Sequence, residues 1–154
     1  MGGLAVYSIP QLGVQHRVHQ AFSDIAGFVE QGDSRSSLGA RFEMWGAAIQ
    51  LIPKKPIFGW GTLGYERARD RLVEEGLAHP VIQRYDHVHN EYLDAWVKRG
   101  VVGLVALLAL YLVPLRLFTQ RIRSEDLHLR AFAVAGVLLP VAYIDFGLSQ
   151  VFLA

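Results

Sequence analysis

The chain has 154 residues, 52% of them apolar and 19% charged, with a formal net charge of +1, six His and no Cys. These figures exclude a bulk electrostatic case for nucleic-acid binding, a disulfide framework and a thiolate metal site. Charge is also segregated: residues 15–99 hold 11 of the 15 Lys and Arg and 11 of the 14 acids, whereas Gly100 to Ala154 is nearly all apolar, a pattern that predicts a membrane protein with a sizeable polar loop.

Met1-Gly2-Gly3 lacks a basic n-region and Leu4 to Ile9 is too short for an apolar signal core, so no signal peptide is expected. Residues 1–15 can be read as the end of a preceding membrane segment. Beyond them the polar region reads as mostly helical. Ser36 and Ser37 offer N-caps for a helix ending before Pro53, and Phe42, Trp45, Ile49 and Ile52 recur at helical spacing as one apolar face. Pro53 to Gly64 is a Pro- and Gly-rich turn region. Its Phe58 and Trp60, with Trp45, are expected to build a small core or sit at the membrane interface. Lys54 and Lys55 read as an exposed turn. A charged helix is expected from about Tyr65 to Glu75, stopped by Gly76, with Arg67, Arg69 and Arg71 on a solvated face. Asp86 is a candidate cap for a further helix running through His89 and Trp96 toward the apolar region.

Two membrane spans are expected. The first, Gly100 to about Phe118, has an uncharged run of 16 residues, Gly100 to Leu115, slightly under the roughly 20 needed to cross a bilayer. Lys98 and Arg116 are expected to snorkel and close the gap. The second, Ala131 to Ala154, carries Pro140 and Asp145, and an acid at membrane depth usually faces protein or a polar cavity. The connection, residues 119–130, together with Arg116 carries four Arg against Glu125 and Asp126, so it is expected to be cytoplasmic. Residues 1–99 are then a periplasmic loop region. Such a region needs an upstream element to export it, and the chain is therefore expected to be a fragment of a larger polytopic protein whose second span is incomplete.

The densest chemistry lies in Asp86-His87-Val88-His89-Asn90-Glu91-Tyr92-Leu93-Asp94. On a continuous helix His89 shares a face with Leu93, Trp96, Val97, Gly100 and Gly103, roughly 16 Å of helix rise above Gly100, and His87 points elsewhere. Gly100 and Gly103 would admit another helix. A His-x-His metal pair with His79 or Asp86 is the minor alternative, because helical ligands usually stand four apart. Gly59-Trp60-Gly61 lacks the strand context and third Gly of a nucleotide fingerprint.

His89-Asn90, then nine residues, then Gly100-Val101-Val102-Gly103 resembles the signature of the O-antigen ligase and polymerase family, which includes protein O-oligosaccharyltransferase relatives. Arg41-Phe42-Glu43-Met44-Trp45, followed by Pro56-Ile57-Phe58-Gly59-Trp60-Gly61, is similar to that family's Arg, Trp and Pro-x-x-Gly-x-Gly pattern. The resemblance runs from about Ser36 to the end of the chain.

The resemblance implies an all-α membrane protein, a fragment of a larger polytopic GT-C-like fold with a helical periplasmic loop domain followed by two transmembrane helices. It implies a glycosyltransferase of the bacterial inner membrane, its catalytic loop facing the periplasm. The donor would be a glycan on undecaprenyl diphosphate and the acceptor lipid A-core, in lipopolysaccharide biosynthesis. A growing glycan (polymerase) or a protein hydroxyl are alternative acceptors. No metal or other cofactor is implied, and membrane lipids are the remaining partners.

The residue types suit that chemistry. A His can take a hydroxyl proton near neutral pH, and Arg can hold a leaving diphosphate bidentately. His89 is thus the candidate base or acceptor-positioning group. Arg41 is the candidate diphosphate clamp, aided by Arg84, and Asn90 would orient His89 or the sugar. Two readings of other classes compete. A transporter subunit would show discontinuous helices about a midplane site and survive loss of His89. An inactive truncated fragment would lack transfer altogether.

Overall fold

The computed structural model describes residues 14–31 and 36–153, and among them there is no strand. The expectation for residues 1–15 lies almost wholly outside this range, as does Ala154. Five α-helices lie among the described residues: α1 (Val14–Gln31), α2 (Ser37–Leu51), α3 (Thr62–Glu74), α4 (Glu91–Thr119) and α5 (Leu127–Phe146). Short 3-10 turns, Ile52–Lys54 and Pro80–Arg84, follow α2 and precede α4.

Helix α2 begins where the sequence predicts. The Ser36 hydroxyl accepts from Gly39 N at 3.0 Å, satisfying one of the free amides of the first turn. Its buried face differs from the expected one. Ala40, Met44, Ala47, Ala48 and Leu51 point inward, while Ile49 is 58% exposed. Small side chains let α2 approach α3, α4 and the Pro80–Arg84 turn closely, and that proximity outweighs the larger transfer energy of Ile49. Trp45 is an anchor at the rim of this core. The core itself adds Tyr65, Leu72, Ile82, Val88 and Val97 from four further segments, and each large side chain buried there contributes roughly 1.5–3 kcal/mol.

Helix α3 ends in a Schellman pattern, with Leu77 N donating to Leu72 O (2.8 Å) and Gly76 N to Val73 O (3.0 Å). Its charged face is not wholly solvated as expected. Arg69 is 7% exposed and donates to the Tyr85 carbonyl as well as to Asp70. With Nε and both Nη atoms each bonded, the guanidinium keeps its charge inside the fold.

Helix α4 is two helices joined at Gly100, whose φ of 69° and ψ of −169° are not helical. The first segment, 91–99, packs back against the second, so that Ala95 shares a buried cluster with Leu107 and Tyr111. The polar groups freed by the break are met by the Pro-Gly loop. Trp60 N and Gly61 N donate to the carbonyls of Val97 and Lys98 (3.0 and 2.7 Å), while Val101 N and Val102 N donate to Pro56 O and Ile57 O (2.8 and 3.3 Å). The backbones cross so closely that a Cβ on Gly59 would lie 2.5 Å from Gly100 N, and one on Gly100 would lie 2.5 Å from Phe58 N. The expectation of a second helix at Gly100 is therefore corrected. A loop crosses there, and the space over Gly103 is taken by Arg99 of the same helix.

The second segment of α4, about 28 Å long at roughly 1.5 Å per residue, and α5 are long and apolar enough to cross a membrane. Only 11% of each apolar window is buried, so neither is the core helix of a soluble domain. The two pack together along their lengths, with the Phe118 ring against Gly136 and Tyr111 against Tyr143 at 6.0 Å. Asp126 caps α5 by accepting from His128 N and Leu129 N (2.8 and 3.2 Å).

The helix expected from Ala131 to the end instead stops at Phe146. The following residues fold over the start of α4. Asn90 Nδ2 donates to Leu148 O (3.1 Å), Glu91 N donates to Gly147 O (2.8 Å), and the fully buried Glu91 carboxylate accepts from Phe152 N and Leu153 N. Those bonds replace helical ones that the chain gives up after Phe146.

Candidate active site

The site is built on the segment Tyr85–Asn90, and its key feature is that Val88 is clamped. Val88 is fully buried. Its N–H donates to Asp94 Oδ1 (3.2 Å) and its carbonyl accepts from Trp45 Nε1 (3.0 Å). Lys98 Nζ holds the Asp86 carbonyl at 3.1 Å, and Arg69 holds that of Tyr85. Four side chains from α2, α3 and α4 thus pin the backbone of this loop.

With Val88 turned inward, both flanking histidines come to one side. Their rings stand 4.3 Å apart, and the Tyr85 ring meets His89 edge-on at 5.3 Å. His87 Nδ1 lies 2.5 Å from Asp86 Oδ1, and this hydrogen bond holds the Asp86 carboxyl below its usual range. Two expectations are corrected here. His89 is not on the helix: it takes φ of 52°, a left-handed conformation in which His is enriched among non-glycine residues. The helix starts after it, capped by Asn90 Oδ1 accepting from Leu93 N (3.0 Å). The common helical face from His89 to Gly103 does not exist, and His87 is beside His89, not remote from it.

Burial pushes the His89 imidazole below its ordinary value; the charges of His87 and Arg41 act in the same direction, and Asp86 opposes them. These surroundings favour the neutral ring. Its Nδ1 is buried with no hydrogen-bond partner among the described residues. Arg41, partly exposed on α2, is thereby placed near His89, so the fold brings these two predicted residues together. Asn90 is adjacent, but its amide is engaged by Leu93 and Leu148. Arg84 is exposed and lines, with His79, Pro80, Val81 and Tyr85, a polar recess of about 430 Å³. It reaches the His89 neighbourhood only through Tyr85. His79 Nδ1 is taken by Val81 N (3.1 Å), and among the described residues no three His, Asp or Glu converge as a metal-ligand group.

Arg41→Gln removes a cation that disfavours the imidazolium, so the midpoint of the His89 titration should rise; Arg41→Lys, which keeps the charge, should leave it in place. Proton NMR of the imidazole resonances reads this without any assay of activity.

Sequence reasoning missed Asp94, Lys98 and Glu91. Asp94 and Lys98 are 1% and 3% exposed and pair at 2.9 Å. Lys98 does not snorkel as expected, because Asp94 and the Asp86 carbonyl meet its donors inside the protein. Their i,i+4 spacing was the available signal. Asp94→Ala leaves a buried ammonium without its counter-charge and should cost about 3 kcal/mol. Replacing both residues by apolar ones should cost less than the single change, as a fall in detergent unfolding temperature would show.

A sequence model of the family described as O-antigen ligase matches residues 1–108. The chain belongs to the O-antigen ligase family. It is 35% identical along its whole length to a Haemophilus influenzae protein called only an uncharacterized protein, of which it covers 39%. Over 140 residues, 90% of this chain, it is 26% identical to the O-antigen ligase of Escherichia coli K12, of which it covers 31%. The chain thus spans well under half the length of these relatives. The segments that carry the O-antigen ligase resemblance now have physical content. Pro56–Gly61 and Gly100 are the two strands of one backbone crossing, and His89-Asn90 is the left-handed turn and cap that open the helix leading to that crossing.

Proposed function

We propose that this chain carries the catalytic loop of a membrane glycosyltransferase that moves a glycan from undecaprenyl diphosphate to a lipid A-core hydroxyl at the periplasmic face of the inner membrane. The observation that carries the reading is the placement of Arg41 from α2 near a partly buried His89 whose surroundings favour the neutral ring and whose Nδ1 has no partner in the described structure. His89 takes the proton of the acceptor hydroxyl as that oxygen attacks the anomeric carbon. Arg41 holds the departing diphosphate with two charge-assisted bonds, and Arg84, which lines the polar recess, adds a second cation. Asn90 orients His89 by fixing the helix cap that follows it. The arginines of segment 119–130 support a cytoplasmic side for it, and on this reading residues 1–99 face the periplasm.

The test uses the full-length parent in cells that lack their own ligase but still make the lipid-linked glycan. A long-chain lipopolysaccharide ladder on a gel is the expected result. No ladder from a well-expressed parent would remove lipid A-core as acceptor and leave glycan polymerisation or protein glycosylation, which need the same base and clamp. A transport function would leave the phenotype unchanged by loss of His89.

A further inference from the structure

We propose that His87 is a second proton-handling residue of the transfer site: hydrogen-bonded to Asp86, it gives a proton to the departing diphosphate while His89 takes the acceptor proton, and water then carries the proton from His89 back to His87. The inference rests on the reading of His89 as base given above. Its own support is geometric. The clamp on Val88 brings the rings to 4.3 Å. Asp86 Oδ1 lies 2.5 Å from His87 Nδ1, which occupies that nitrogen and leaves Nε2 for a ligand. The His87 side chain is 28% exposed, so it is open to a ligand, whereas Nδ1 of His89 is buried and unpartnered among the described residues.

The charge of His87 disfavours protonation of His89. The charged groups around them are Arg41 from α2 and Asp86 on the same segment, while Arg69 of α3 and Asp94 and Lys98 of α4 bind the backbone of residues 85–88. Lys98 acts on Asp86 and Arg41 on His89.

The step balances without a further reactant. The acceptor O–H bond breaks and its proton moves to His89, while the oxygen forms the new bond to the anomeric carbon. The bond from that carbon to the diphosphate oxygen breaks, and its electron pair leaves with the diphosphate. His87 gives its Nε2 proton to the diphosphate, His89 releases its proton to water, and water returns one to His87. The acceptor proton thus ends, in net, on the released lipid diphosphate.

The experiment is the pH profile of kcat/KM for the full-length parent in detergent, with lipid-linked glycan as donor, comparing His87→Gln, Asp86→Asn and His89→Ala. His87→Gln should lower the optimum rate about 10²-fold and abolish the alkaline limb. It should also move the acidic limb to higher pH, because a cation that disfavours protonation of His89 is gone. Asp86→Asn, which keeps the ring but removes its carboxylate, should narrow the profile from the alkaline side. A His87→Gln enzyme within about twofold of the parent, or one slowed uniformly with both limbs in place, overturns the relay and reduces His87 to packing. An active His89→Ala enzyme would instead remove the base reading itself, so the two failures are separable.

Discussion

His89→Ala in the full-length parent, at matched membrane levels, should abolish the long-chain ladder and lower transfer in vitro by about 10²–10⁴-fold, the usual contribution of a positioned general base. The substitution also places alanine at a φ of 52°, where a Cβ without a compensating side chain costs roughly 1–2 kcal/mol. His89→Asn separates the two effects. Asparagine tolerates the left-handed backbone but has no basic nitrogen. It should unfold at the parent's temperature and be as inactive as the alanine variant. Transfer by a folded His89→Asn enzyme would remove His89 as the base and leave it a turn residue.

Gly100→Ala should be the most damaging substitution for folding. The added Cβ would overlap the Ile57 carbonyl and lie 2.5 Å from Phe58 N, in a backbone conformation that L side chains rarely adopt. The neighbour is backbone, and it is held by the bonds from Val101 and Val102, so it cannot move aside without releasing them. A cost above about 4–5 kcal/mol is expected, visible as loss of detergent-stable protein. Gly59→Ala meets the same crossing from the other side and should behave alike. Gly61→Ala serves as the control: its Cβ would meet nothing within 4 Å, although its φ of 68° still carries strain, so it should fold with a smaller loss. Recovery of Gly100→Ala with the parent's unfolding temperature would mean that the crossing opens freely.

Much of this protein is written in local pattern. The absence of Cys, the segregated charge and the two apolar runs point to an all-helical membrane chain. Ser36 marks the start of α2 and Gly76 the end of α3, because caps act within one turn. The order of His89-Asn90, Gly100 and Gly103 behind Arg41 and Pro56–Gly61 pointed to the family. A helical reading of Asp86–Trp96 failed for a reason outside any local window. Val88 is turned into the core by Asp94 and Trp45, and that contact ends the option of helix before Asn90.

By itself, then, the sequence determined class, approximate helices and the residue types of the chemistry, since periodicity, caps and charge segregation depend on neighbours a few positions apart. Tertiary structure alone decided that α4 breaks at Gly100 over the Pro56–Gly61 loop, that Lys98 and Arg69 are buried struts and not surface charges, and that His87 stands beside His89. Each of these depends on which distant backbone group needs a hydrogen-bond partner inside the protein, and a buried group left unpaired costs about 1–3 kcal/mol. That cost is set by the meeting of segments far apart in the chain, and the i,i+4 spacing of Asp94 and Lys98 is the one trace it leaves in the order of these residues.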